Sequence, residues 1–160
     1  SYCAGIIDTL SIEAAKTFPG LPHRCEWLGE WNGVSWFNDS KGTNVGATVA
    51  ALQGLQQMVV LIAGGQAKGA EFSALAQAVE GKSRAVVLFG EDADQIEAAI
   101  AGRTKVIRAD DLSEAVQQAK SVAQNGDAVL FSPACASFDM FDNYLHRGES
   151  FLAEVRRIQS

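Results

Sequence analysis

The chain has 160 residues, 48% hydrophobic and 20% charged, which is enough for one globular domain with a substantial core. A net charge of -6 without a basic run argues against a general nucleic-acid binder, though not against a local basic pocket, and no apolar run approaches the ~18 residues of a membrane span. Cys3, Cys25 and Cys135 are widely spaced and form no CxxC, which argues against a disulfide framework or a zinc site and suits a reducing, cytoplasmic setting.

Residues 1–19 hold one short helical candidate, Ser11 to Lys16, stopped by Pro19-Gly20-Leu21-Pro22. Leu10 to Ile12 and the residues before them lack the basic start and long apolar centre of a signal peptide. We expect a linker, a tag or the remnant of a preceding domain, with the domain proper over residues 20–160. His23 to Leu28 reads as a strand. Asn32-Gly33 is a strong hairpin signal, and Val34 to Phe37 is the returning strand. The segment Phe37-Asn38-Asp39-Ser40-Lys41-Gly42-Thr43-Asn44 then leads into a helix from Thr43 to about Leu52. Ser40, Thr43 and Asn44 are all candidate caps.

A regular alternation follows. Met58 to Ala63 is an apolar run of the kind that forms a buried parallel strand. Gly64-Gly65-Gln66-Ala67-Lys68-Gly69 is a glycine-rich turn, and Glu71 to Val79 a helix. Ala85 to Phe89 is a strand, Asp92 to Ile100 a helix, and Lys105 to Ile107 a short strand. Asp110 or Asp111 caps a helix running to Ala123. Asn125-Gly126-Asp127 turns the chain into the strand Ala128 to Phe131. Ser132 to Ser137 is a loop. A last helix is expected from about Met140 to Ile158, with a break near Arg147-Gly148. This order predicts an α/β fold: a Rossmann-like, mostly parallel sheet of about six strands flanked by helices, with an N-terminal antiparallel hairpin.

In such a sheet, ligands bind beyond the carboxyl ends of the strands. Three loops leave those ends with useful chemistry: residues 37–44, 64–69 and 132–137. Together they are expected to offer Lys41, Lys68, Thr43, Ser132 and Ser137 to a small ligand bearing carboxylates or phosphate. By contrast, Gly90-Glu91-Asp92 is acidic and should repel such a ligand. Each feature has a plainer alternative. Asp39 and Lys41 suit an ion pair at an ordinary strand-to-helix corner, Lys68 a solvated lysine, and Ser132 and Ser137 turn formers. Cys135 has no histidine beside it in sequence and suits a packed thiol. Asp139 and Asp142 suit the first turn of the last helix. No GxGxxG follows a strand and no GxxxxGK[ST] occurs, so neither a dinucleotide fingerprint nor a P-loop is present.

Four segments, in this order and spacing, resemble the Mur ligase family: Gly20-Leu21-Pro22-His23-Arg24, Asn38 to Asn44, Gly64-Gly65-Gln66-Ala67-Lys68, and Ser132-Pro133-Ala134-Cys135-Ala136-Ser137-Phe138-Asp139. The likeness is to the C-terminal domain of the D-glutamate-adding member and covers about residues 17–160. It implies an ATP-dependent, amide-forming bacterial enzyme of peptidoglycan synthesis, acting through an acyl phosphate. ATP and Mg2+ would be its cofactors, and D-glutamate and UDP-N-acetylmuramoyl-L-alanine its substrates. The resemblance places the P-loop and the magnesium ligands in a central domain outside this chain, so the chain alone should be inactive. It further implies that Lys68 and Thr43 hold the α-carboxylate of D-glutamate. Ser137, with backbone from Phe138 and Tyr144, would hold the side-chain carboxylate. Arg24 and Asp39 would meet ATP, with Lys41 facing the same cleft. A monomer is expected. The competing expectation is a stand-alone α/β module that binds a small anion or another protein; a polyglutamate-adding ligase is a weaker option.

Overall fold

Apolar runs too short for buried helices and too apolar for half-exposed strands become the centre of a sheet. The structure is a computed structural model, and it describes residues 26–67, 69–135, 141 and 143–159. The expected Ser11–Lys16 helix lies outside those residues. Six strands, β1 (Glu26–Trp31), β2 (Val34–Asn38), β3 (Val59–Ala63), β4 (Ser83–Leu88), β5 (Lys105–Arg108) and β6 (Ala128–Phe131), form one sheet in the order β1-β2-β6-β3-β4-β5. β1 and β2 pair antiparallel; every other pairing is parallel. The turn between β1 and β2 is Asn32-Gly33, with φ of 56° and 78°, the left-handed pair that a two-residue hairpin requires. The expected fold class is therefore the one found.

Among the described residues five helices flank the sheet: α1 (Val45–Gly54), α2 (Ser73–Val79), α3 (Ala93–Ile100), α4 (Leu112–Val122) and α5 (Tyr144–Gln159). Strand residues alternate between two cores. Val59, Leu61 and Ala63 meet Leu52, Leu75 and Ile96 from α1, α2 and α3. Val60 and Ile62 face the other way, toward Val116 of α4 and Phe151 of α5. There Phe131 stacks on Phe151 at 4.6 Å between ring centroids, and Trp36 lies 6.4 Å from the same ring.

Caps decide where helices begin. Asn44 Oδ1 accepts from Ala47 N at 2.9 Å and starts α1. Asp111 Oδ1 accepts from Glu114 N at 2.8 Å and starts α4. Asn143 Oδ1 accepts from His146 N at 2.9 Å before α5. Helix α5 thus starts at Tyr144 rather than near Met140, and it runs unbroken through Arg147-Gly148. Both of those residues are buried, and they are used inward instead of ending the helix.

Chain order and sheet order part company at one place. β3 and β6 are parallel neighbours, but the helices that follow them, α2 and α5, cover opposite faces. This divergence opens a crevice at their carboxyl ends, as at the switch point of other open α/β sheets. β2 flanks β6 on its other side, so the three loops singled out above leave adjacent strands.

Candidate functional site

The three loops are joined to one another by their backbones. Asp39 N donates to Phe131 O at 2.7 Å, Ala134 N to Gly42 O at 2.9 Å, and Gly64 N to Pro133 O at 3.0 Å. The middle loop, after β6, therefore bridges the other two. The loop after β3 is also held from its far side. Asp92 N donates to Gly65 O at 2.9 Å, and Asp92 Oδ2 accepts from Ala67 N at 2.7 Å. Asp92 does not simply repel anions, as its acidic neighbourhood suggested; it orders the glycine turn. Gly64 sits at φ +132°, and a Cβ there would run into the carbonyl of Phe89, so only glycine fits this corner.

Under the first loop lies a chain of buried polar groups. Ser132 Oγ donates to Asp39 Oδ2 at 2.8 Å and pairs with Thr48 Oγ1 at 2.8 Å. Ser132 and Thr48 are fully buried, and Asp39 is 5% exposed. Gly42 folds over this group: a Cβ on it would stand 2.6 Å from Ser132 Oγ and 2.8 Å from Asp39 Oδ2. Ser132 was expected to face a ligand. It is instead enclosed, because its hydroxyl serves as the donor to the Asp39 carboxylate, which at this depth needs one.

Arg147 closes the arrangement from α5. It is 1% exposed. Its Nη2 donates to Ser40 O at 2.8 Å, its Nε to Ser40 Oγ at 3.2 Å, and its Nη1 to Cys135 O at 2.9 Å. One guanidinium thus fastens the first loop to the third. Asn38 Nδ2 donates to Gly148 O at 3.0 Å, and Ser40 Oγ to Tyr144 O at 2.8 Å, so the first turn and a half of α5 grips residues 38–40. Sequence reasoning missed Arg147, Thr48 and the bonding role of Ser40. Arg147 did leave a trace: it lies in i, i+4 register with the buried Phe151 and Val155, and so on the inner face of α5.

Beside these supports, Asp39, Lys41, Gly42, Thr43, Asn44 and Tyr144 line one hollow of about 410 Å³. Thr43 is exposed, while Lys41 and Tyr144 are half-buried. Four of the expected site residues, Asp39, Lys41, Thr43 and Tyr144, are therefore together. Arg24, Lys68, Ser137 and Phe138 lie outside the described residues, as do Asp139 and Asp142. Among the described residues no three His, Cys, Asp or Glu side chains converge on a point that could hold a metal ion, and no helix is long and apolar enough to cross a membrane.

Fold and hollow together define an open α/β domain with a polar hollow at the carboxyl ends of its strands. The chain belongs to the Mur ligase family: the profile described as "Mur ligase, glutamate ligase domain" matches residues 23–135. Among curated relatives, the UDP-N-acetylmuramoylalanine--D-glutamate ligase of Legionella pneumophila (strain Lens) is 55% identical over 157 residues, covering 96% of this chain and 35% of the relative. The enzyme of the same name from Nitrosococcus oceani is 52% identical over 158 residues, covering 98% and 35%. The chain thus spans about a third of the length of the curated relatives it matches. Among solved structures, the UDP-N-acetylmuramate-alanine ligase of Thermotoga maritima superposes with a TM-score of 0.60 at 16% identity, over 94% of this chain and 34% of that one. Mycobacterium tuberculosis folylpolyglutamate synthase complexed with ADP gives a TM-score of 0.61 at 16% identity, over 92% and 35%. At those identities the structural likeness speaks for the fold alone.

Proposed function

We propose that this chain is the acceptor-binding and nucleotide-covering domain of a cytoplasmic, monomeric ligase of bacterial peptidoglycan synthesis. That ligase adds D-glutamate to UDP-N-acetylmuramoyl-L-alanine at the expense of ATP. The observation that carries the proposal is the hollow itself: an exposed hydroxyl, an ammonium and a carboxylate held at one rim by three interlocked loops. The names of the curated relatives give the two substrates that are joined, and the family resemblance implies the route. ATP phosphorylates the carboxylate of the precursor, giving an acyl phosphate and ADP. The amine of D-glutamate attacks the acyl carbon, phosphate leaves with the C–O bonding pair, and the amine loses a proton to yield the amide.

The part of this domain is positional. Thr43 and Lys68 would orient D-glutamate through its α-carboxylate, and Ser137 through its side-chain carboxylate, with Phe138 and Tyr144 contributing backbone. Arg24, Asp39 and Lys41 would meet the nucleotide. Holding the amine in line with the acyl carbon can lower the barrier by roughly 7–11 kcal/mol at best. Closing the site keeps water from the acyl phosphate. Magnesium, which offsets phosphate charge when bound, finds no ligand cluster in the described residues and would be held elsewhere in the longer protein. The isolated chain should therefore form no amide.

The test uses the full-length protein supplied with ATP, Mg2+, UDP-N-acetylmuramoyl-L-alanine and D-glutamate. Replacing Thr43 by Ala should raise the KM for D-glutamate about 10- to 100-fold, as loss of one hydrogen bond to a charged group implies, with little change in the KM for ATP. An unchanged D-glutamate KM, or amide formed by residues 1–160 alone, would overturn the proposal.

A further inference from the structure

Lys41 has an unusual neighbour in the hollow. Its Nζ stands 5.5 Å from the centroid of the Tyr144 ring, within the ~6 Å over which a ring face attracts a cation. The backbone beside it is fixed independently. Ser40 is bonded to the carbonyl of Tyr144 and to the guanidinium of Arg147. Any residue at position 144 would supply that carbonyl, but only an aromatic one supplies the ring. The two contacts are therefore separable: the carbonyl places the peptide before Lys41, and the ring places its ammonium.

An ammonium on four rotatable bonds otherwise extends into water. Here it is kept at a hollow where Asp39, the one carboxylate among the described lining residues, already receives a bond from Ser132. We infer that Tyr144 is a positioning residue whose ring holds the Lys41 ammonium ready for the phosphate of an incoming ligand. Lysine is well suited to that partner, as a compact charge with three donors. An aliphatic residue at 144 leaves the loop in place and frees the ammonium. Only the identity of the phosphate carrier rests on the function proposed above; the positioning does not.

The experiment takes the 160-residue chain and follows the Lys41 ε-methylene resonances by NMR. In the parent protein they should lie upfield of the other lysines, displaced by the ring current of Tyr144. Tyr144→Phe should keep the displacement. Tyr144→Leu should abolish it while the backbone spectrum stays dispersed. Inorganic phosphate is then titrated in. It should move the Lys41 resonances in the parent and in Y144F, and bind about two- to five-fold more weakly to Y144L, as loss of one partly exposed cation–π contact implies. Ordinary lysine shifts in the parent overturn the positioning role. No phosphate-dependent movement in the parent overturns the anion-receiving role. Equal phosphate affinity in the parent and Y144L overturns the link between them. None of these arms needs turnover. A chain that passes them, while the full-length protein forms no amide, keeps Tyr144 as the positioning residue and discards the ligase assignment.

Discussion

Replacing Arg147 by Met should cost this domain a large share of its stability. The side chain is fully enclosed, and its guanidinium donates to Ser40 O, Ser40 Oγ and Cys135 O at 2.8–3.2 Å. Methionine fills similar length but donates nothing. Hydrogen bonds from a charged donor contribute about 1.5–3 kcal/mol each, and every buried acceptor left bare costs about 1–3 kcal/mol. Against this stands the desolvation of the guanidinium, several kcal/mol, which the variant no longer bears. The balance resembles that of breaking a buried charged pair, about 3–5 kcal/mol, in a domain whose total is expected at about 5–15 kcal/mol. With a urea m-value of about 2 kcal/mol/M, the unfolding midpoint should fall by roughly 2 M. Arg147→Lys should lie between, since one ammonium cannot span both loops as the planar fork does. Urea titration followed by tryptophan fluorescence reads both, because Trp36 lies in the core shared with Phe131 and Phe151. A midpoint shift below about 0.3 M in R147M would falsify the claim that this guanidinium holds the two loops together.

Three further outcomes follow from the same supports. Gly42→Ala should lower stability by about 1–3 kcal/mol, because its methyl must displace Ser132 Oγ or the Asp39 carboxylate; thermal melting measures this, and an unchanged midpoint counts against the packing described. Ser132→Ala removes a donor from Asp39 Oδ2 at a fully buried position and should cost about 1–3 kcal/mol, whereas Ser132→Cys should cost less; equal effects in the two variants would show that the hydroxyl is not what matters. Lys82, whose ammonium donates to Leu55 O, is held below the ordinary lysine pKa of 10.5 by burial. The unfolded chain therefore binds more protons than the folded one between that lowered value and 10.5. Stability attributable to this group should rise with pH across the window, and the extra slope should vanish in Lys82→Met; parallel pH profiles for the two proteins would refute it.

Much of the sheet could be read locally, because its signals are local. Asn32-Gly33 fixes a turn by backbone preference, and runs such as Val59-Val60-Leu61-Ile62-Ala63 admit few fates other than a buried strand. The hollow was partly legible for a related reason. Asp39, Lys41 and Thr43 lie on one short loop at a strand end, where open α/β sheets take ligands. What escaped is what depends on distant partners. Ser132 looked like a ligand group because nothing near it in sequence reveals that Asp39, 93 residues away, accepts its hydrogen bond. Gly148 looked like a helix breaker, but its carbonyl accepts from Asn38, 110 residues away, while the helix continues. Arg147 was read as part of that break, and only its alignment with Phe151 and Val155 hinted that it pointed inward.

The position of β6 bears on how such a chain is made. β6, the last strand of this sheet in chain order, is inserted between β2 and β3, its backbone bonded to both. Until residues 128–131 emerge, the hairpin and the β3-β4-β5 block share no ladder, and each presents an open edge. Such edges recruit foreign strands, so nascent or C-terminally clipped forms that end before Ala128 should be the ones that aggregate. The same strand carries the loop that bridges the other two, and the hollow can exist only after the sheet has been completed from within.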